Sequence, residues 1–170
     1  MKKLFFVLML FPALGFKGQI VKVDLQASGL TCSMCSNAIN KAIRSLDFVD
    51  KVDANIKNSS FVISFKDGLL PDLDMIRKKV ENAGYTVAKF WVTLNFNHVD
   101  IENEKYIVLG NYNFHFFNVT RQTLNGNSMI RLIDKGYVSN KEFKKNIGTI
   151  KIPCYTNGEA DGKKAYHVTL

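Results

Sequence analysis

The periodicity of the apolar residues between residues 20 and 90 constrains this chain more than any other feature. Ile20–Ala27 carries Val21, Val23, Leu25 and Ala27 at every second position, the mark of a strand with one buried face. In the segment SNAINKAIRSL, Ala38, Ile39, Ala42, Ile43 and Leu46 fall on one side of a helix. Alternation returns in DKVDANI (Val52, Ala54, Ile56) and again in FVISF (Phe61, Ile63, Phe65). Asn58-Ser59 supplies turn chemistry between these two strands, so they predict a hairpin. PDLDMIRKKVENAG then reads as a second helix, with Asp72 as N-cap, Gly84 as C-cap and Leu73, Ile76, Val80 and Ala83 as its apolar stripe. YTVAKF opens a fourth strand.

Strand, helix, strand, strand, helix, strand is the split βαβ, or ferredoxin-like, order. It predicts an antiparallel four-stranded sheet with both helices on one face. Near residue 90 the alternation changes phase, from Tyr85 and Val87 to Phe90, Val92, Leu94 and Phe96. A one-residue slip exchanges the faces of a strand, so a boundary or a bulge is expected there. The remainder is strand-rich: WVTLNF, KYIVLGNYNFHFFNVT, SMIRLIDKGYVS, GTIKIPCY and KAYHVTL. Ser139 and Glu142 match a capping box in SNKEFKKN, which predicts one or two helical turns. The expected fold class is therefore α+β. A ferredoxin-like domain over 19–90 precedes a small, mostly β domain over 91–170, an OB-like barrel with a sandwich as the alternative.

Met1-Lys2-Lys3 followed by LFFVLMLFPALGF has the basic and apolar regions of a signal peptide, with Ala13-Leu14-Gly15 or the Gly18/Gln19 step as cleavage points. The apolar run is shorter than the ~20 residues of a spanning helix, and Pro12 and Gly15 interrupt it. Residues 1–18 are thus expected to be an export signal, with an uncleaved anchor as the alternative, and the protein to be periplasmic. No cysteine follows that segment closely, so a bacterial lipid anchor is not expected. Loss of Lys2, Lys3 and Lys17 would lower the formal charge from +8 to +5. Such a charge suits an anionic surface or nucleic acid, but export argues against nucleic acid, and a solvated basic surface is the simpler reading. With 46% hydrophobic and 12% aromatic residues the chain is not a disordered one.

Only three cysteines are present, two of them in GLTCSMC. An odd count, with two of the three separated by only two residues and the third far away, is no disulfide scaffold. Cys32 and Cys35 stand where a strand hands over to a helix, and the partial positive charge of a helix N-terminus favours thiolates. Two thiolates suit a linear two-coordinate ion such as Cu(I) and under-serve zinc, which takes four ligands. No histidine is near in sequence, since His98, His115 and His167 all belong to the second half.

In this strand–loop–helix setting GLTCSMC resembles the heavy-metal-associated domain of copper chaperones, copper-pumping ATPases and periplasmic mercury-binding proteins. Gly29, Thr31, Cys32 and Cys35 match its G-M-T/S-C-x-x-C signature, while Leu30 stands where Met is usual. The resemblance covers residues 20 to about 90. It implies that Cys32 and Cys35 hold a soft ion, Cu(I) first and Hg(II) as the alternative. Gly29 would allow the loop its turn, Thr31 would support it and Leu30 would pack beneath it. The fold implied brings Tyr85, at the start of the fourth strand, near the thiolates, to shield the site or tune its charge; an ordinary core aromatic is the other reading. The implied function is sequestration of the ion or its transfer to a metal-transporting membrane protein or another carrier.

Rival readings of the pair are a structural disulfide in an interaction module and a thioredoxin-type redox dithiol. The second expects parallel strands rather than a central hairpin. The resemblance implies that Met34, between the two cysteines, faces away from the metal rather than acting as a thioether ligand. Cys154, after Pro153 in an expected strand, is read as a buried free thiol, with a second metal site shared with His167 or His115 as the alternative. The aromatics of FHFFNV are read as core and rim rather than as a base-stacking platform. No paired carboxylates, Ser-His-Asp grouping or phosphate-binding glycine loop stand out, so no enzyme and no substrate are expected.

Overall fold

The computed structural model describes residues 19–30, 32–109, 112–160 and 163–170. The expected export signal, residues 1–18, and Thr31 lie outside them. The first half runs β1 (Gln19–Ser28), α1 (Ser33–Arg44), β2 (Val49–Asn55), β3 (Ser60–Phe65), α2 (Leu73–Asn82) and β4 (Thr86–Ile101). Its four strands are antiparallel in the order β2-β3-β1-β4, as the sequence pattern predicts. Ile39 and Ile43 of α1 and Leu73, Ile76 and Val80 of α2 are buried in one core with Val23, Leu25, Phe61 and Ile63. Asp72 caps α2 by accepting a hydrogen bond from the Met75 amide at 3.0 Å, which satisfies one of the unpaired donors at the helix start.

The phase change near residue 90 is a bulge. Lys89 pairs with Gln26 and Val87 with Ala27, so Ala88 is an extra residue opposite β1 and both Val87 and Phe90 turn inward. The expected boundary between 90 and 91 falls inside β4, where Phe90 faces Leu25 and Trp91 faces Asp24 without interruption.

The OB-like barrel expected over 91–170 is not what the described strands form. β7 (Gln122–Leu132) takes the other edge of β4, pairing antiparallel from Trp91–Arg131 to Ile101–Gln122. β9 (Lys163–Thr169) pairs with the end of β7, β6 (Tyr112–Phe116) runs parallel to β9, and β5 (Tyr106–Leu109) lies outermost. The result is one open sheet in the order β2-β3-β1-β4-β7-β9-β6-β5, with the two-residue β8 (Glu159–Ala160) paired to β9. Alternation identifies a strand with a buried face but not its neighbour, so a strand that closes a barrel and one that extends a sheet read alike.

Two further segments differ from expectation. The capped stretch after Ser139 continues as α3 (Asn140–Thr149), a ten-residue helix. The expected strand GTIKIPCY instead contains α4 (Pro153–Asn157), with Pro at its start and Gly158 at φ +75° as its left-handed cap, the usual proline-to-glycine bracketing of a helix. Tyr155 of α4 is buried and donates to the Ile133 carbonyl at 2.6 Å. Adjacent residues divide between two cores: Phe116 and Leu132 join the large one, Phe117 and Ile133 a smaller one with Val138 and Tyr155. This division follows from the two faces of the sheet. Asp74 of α2 clasps the second half, accepting from Tyr137 at 2.7 Å and Tyr166 at 3.1 Å and pairing with Lys164.

Phe90 is fully buried and meets the Tyr137 ring edge-on at 5.0 Å, so it packs against both halves. Phe90→Ala should cost about 3–5 kcal/mol. Denaturant unfolding followed by Trp91 fluorescence and by far-UV circular dichroism should still give a single coincident transition, because both halves share β4.

Candidate metal centre

The loop between β1 and α1 is built by three local constraints. Ser28 Oγ lies 2.6 Å from Thr86 Oγ1, tying the end of β1 to the start of β4. Gly29 then takes φ +85°, a left-handed conformation that suits glycine. Leu30, partly buried, packs against the large core, which holds the base of the loop down. Cys32 is extended at φ −152° and serves as N-cap of α1, its sulfur accepting from the Cys35 amide at 3.4 Å. No acidic residue occupies the first turn, so the positive end of the helix acts on the two sulfurs without local opposition.

Cys32 is exposed and Cys35 half-buried, neither in a disulfide, with their sulfurs 2.7 Å apart. Two bonds of about 2.3 Å placed in line across an ion would put the sulfurs about 4.6 Å apart, so loading requires the side chains to swing away from each other. Exposure of Cys32 gives room for that swing. Met34, at 81% exposure, points to solvent. Tyr85 packs beside Gly29, its Cδ1 3.9 Å from where a Gly29 side chain would begin. Its hydroxyl is held above the usual tyrosine range, first by a hydrogen bond to Cys35 and then by burial and the charge of Cys35 and Cys32. The structure therefore brings Gly29, Leu30, Cys32, Cys35 and Tyr85 to one end of the β1–β4 pair.

The heavy-metal-associated domain model matches residues 24–86. The periplasmic component of a mercuric transport protein from Pseudomonas fluorescens is 36% identical over 63 residues, which span 37% of this chain and 68% of that protein. This chain belongs to the heavy-metal-associated domain family. A copper-transporting ATPase of Helicobacter pylori is 33% identical over 69 residues, 41% of this chain but only 9% of the ATPase. Among solved structures, oxidised MerP from Ralstonia metallidurans CH34 is 30% identical over 41% of this chain and 96% of its own, with a TM-score of 0.37.

Outside the heavy-metal-associated segment the structure gathers a second set of soft donors. His115 and His167 are buried, and one ligand atom from each lies with the Cys154 sulfur inside a span of 4.8 Å. Burial and the neighbouring His167 hold the His115 imidazole down to about 4, so it is neutral at neutral pH. His98 is exposed at φ +48° and lies apart from this set. Asp134 and Tyr106, which also belong to the cluster, are absent from the sequence reading. The signal that could have found the histidines is their placement between inward-facing apolar neighbours, in Phe114-His115-Phe116 and Tyr166-His167-Val168.

A phenolic donor beside the Cys35 sulfur favours its thiolate over its thiol. Tyr85→Phe should therefore slow iodoacetamide alkylation of Cys35 at neutral pH by a few-fold and shift the midpoint of its pH–rate profile upward. Mass spectrometry of the labelled peptide reads both.

Proposed function

We propose that this protein is an exported, periplasmic soft-metal carrier that holds one Cu(I) between Cys32 and Cys35 and passes it on. The observation that carries this reading is the thiol pair on the exposed N-terminal turn of α1, in a chain of the heavy-metal-associated family. Two sulfurs without a third donor from the same loop form a low-coordinate site, which copper(I) accepts and zinc does not. Transfer proceeds by ligand exchange. An incoming thiolate from a metal-transporting membrane protein or a second carrier adds to the ion, and one sulfur of the pair leaves. Cys32, exposed at the helix tip, is the sulfur placed to leave or to arrive first. Gly29 and Leu30 serve as support of the loop, Tyr85 screens one side of it, and a supporting role for Thr31 rests on its match to the family signature. The role is carriage rather than catalysis. Among the described residues no helix is long and apolar enough to cross a membrane.

Hg(II) is the second reading, favoured by the mercuric transport relative and by the same linear dithiolate chemistry. Anaerobic competition of the reduced full-length chain against a coloured Cu(I) chelator tests the proposal. One equivalent of copper should be lost from the total bound on C32S/C35S, with the circular dichroism spectrum unchanged. If C32S/C35S binds as much Cu(I) as the native chain, the copper reading of this pair fails. Loss of an equivalent of Hg(II) alone would transfer the assignment to mercury.

A further inference from the structure

We infer that His115, Cys154 and His167 form a second metal site, independent of Cys32 and Cys35, that takes a single copper ion in a His2Cys environment. The sheet register creates the pair of imidazoles. His115 on β6 and His167 on β9 are partners in the parallel ladder. Both side chains point away from the large core, because their neighbours Phe114, Phe116, Tyr166 and Val168 all point into it. Over this pair α4 lays Cys154, its sulfur 3.3 Å from His167 Nε2 and 3.9 Å from His115 Nδ1. A metal bonded to sulfur at about 2.3 Å and nitrogen at about 2.0 Å, at trigonal or tetrahedral angles, needs sulfur–nitrogen separations of about 3.5–3.7 Å. The two observed distances bracket that range.

The outer nitrogens decide the tautomers. His167 Nδ1 lies 2.6 Å from Asp134 Oδ1, and the other carboxylate oxygen accepts the His167 amide at 2.7 Å. His115 Nε2 lies 3.1 Å from the Glu104 carbonyl, which can only accept. Each ring therefore donates outward and turns a lone pair inward, the carboxylate–histidine and carbonyl–histidine arrangement that orients metal ligands. A thiol carries one proton and can satisfy one of two lone pairs; a cation among them satisfies both and the thiolate together. Tyr106 closes one side, stacked on His115 at 3.7 Å with its hydroxyl 3.2 Å from the Cys154 sulfur. One thiolate and two neutral imidazoles form a trigonal donor set suited to copper.

Cys154, His167 and Asp134 alone could also act as a nucleophile, base and orienting carboxylate. That arrangement leaves the inward lone pair of His115 without a role, and the metal site does not.

The test uses the full-length chain under anaerobic, reducing conditions, titrated with Cu(I) against a coloured chelator. The native chain should bind two equivalents, C32S/C35S one, C154S one and C32S/C35S/C154S none. X-ray absorption of copper-loaded C32S/C35S should show one sulfur and two nitrogen neighbours, and H115A in that background should remove a nitrogen and weaken binding at least tenfold. C154S is near-isosteric at a partly exposed position, and an unchanged thermal melt confirms that its loss of copper is not unfolding. Failure of the Cys32–Cys35 reading would appear separately, as a C154S variant that binds no copper. The second site is overturned if C32S/C35S binds none, or if its copper survives C154S. Zinc retained in C32S/C35S against excess Cu(I) would overturn the choice of ion. No copper in C32S/C35S, together with Cys154 alkylation at pH 6 that needs His167 but not His115, would replace the metal site with a nucleophile.

Discussion

Everything in this molecule hangs on β4, whose backbone is hydrogen-bonded along both edges at once. Each residue from Trp91 to Asn95 has a partner in β1 and another in β7. In a free-standing four-stranded unit the outer edge of this strand would be open, a template for unwanted pairing. Here β7 covers it, and three consecutive residues, Val92, Thr93 and Leu94, are buried, as happens only where both faces of a strand are covered. The Ala88 bulge reconciles the two halves. It lets Val87 and Phe90, three residues apart, both turn into the large core without breaking the ladder, at the local cost of one unpaired residue.

The same sheet sets both clusters of soft donors. At the β1–β4 end, the Ser28–Thr86 contact and the left-handed Gly29 fix where α1 begins, and so where Cys32 caps it. Farther across, the parallel pairing of β6 with β9 places His115 beside His167. Asp134, just beyond β7, holds the second ring through its Nδ1. Cys154 reaches the pair because Pro153 and Gly158 confine α4 to a single short turn. Residues distant in sequence thus converge through strand register rather than through any contiguous motif.

Sequence pattern and structure agree where the deciding contacts are local. The helix stripes (except Ala38, which is exposed), the Asn58-Ser59 hairpin, the Asp72 cap and the GLTCSMC loop all rest on interactions within a few residues, and each is visible in the order of side chains. They part where the deciding contact is long-range. Nothing in WVTLNF says that its edge will be taken by a strand some 35 residues on, so an extended sheet and a barrel were equally compatible with the alternation. α4 departs from the expected strand: Ile150, Ile152 and Cys154 alternate like a strand, whereas the burial of Tyr155 against Ile133 and the Gly158 cap select a helix. The histidines were individually unremarkable, since only the β6–β9 register makes them neighbours.

The two donor sets differ in the property that separates exchange from retention. Ligand exchange needs a sulfur that a partner can approach, a low coordination number and side chains free to swing, and the exposed Cys32 with its half-buried companion has these features. Retention needs the reverse: rings locked by outward hydrogen bonds, packed against aromatic neighbours and removed from solvent. His167, held by Asp134 and flanked edge-on by Tyr155 at 5.1 Å, and His115, stacked under Tyr106, meet that description. An ion in the second set would gain stability from burial that an ion in the first set lacks. Under the proposed readings, the first site would give up its metal to a partner thiolate, and the second would keep one as part of the folded sheet.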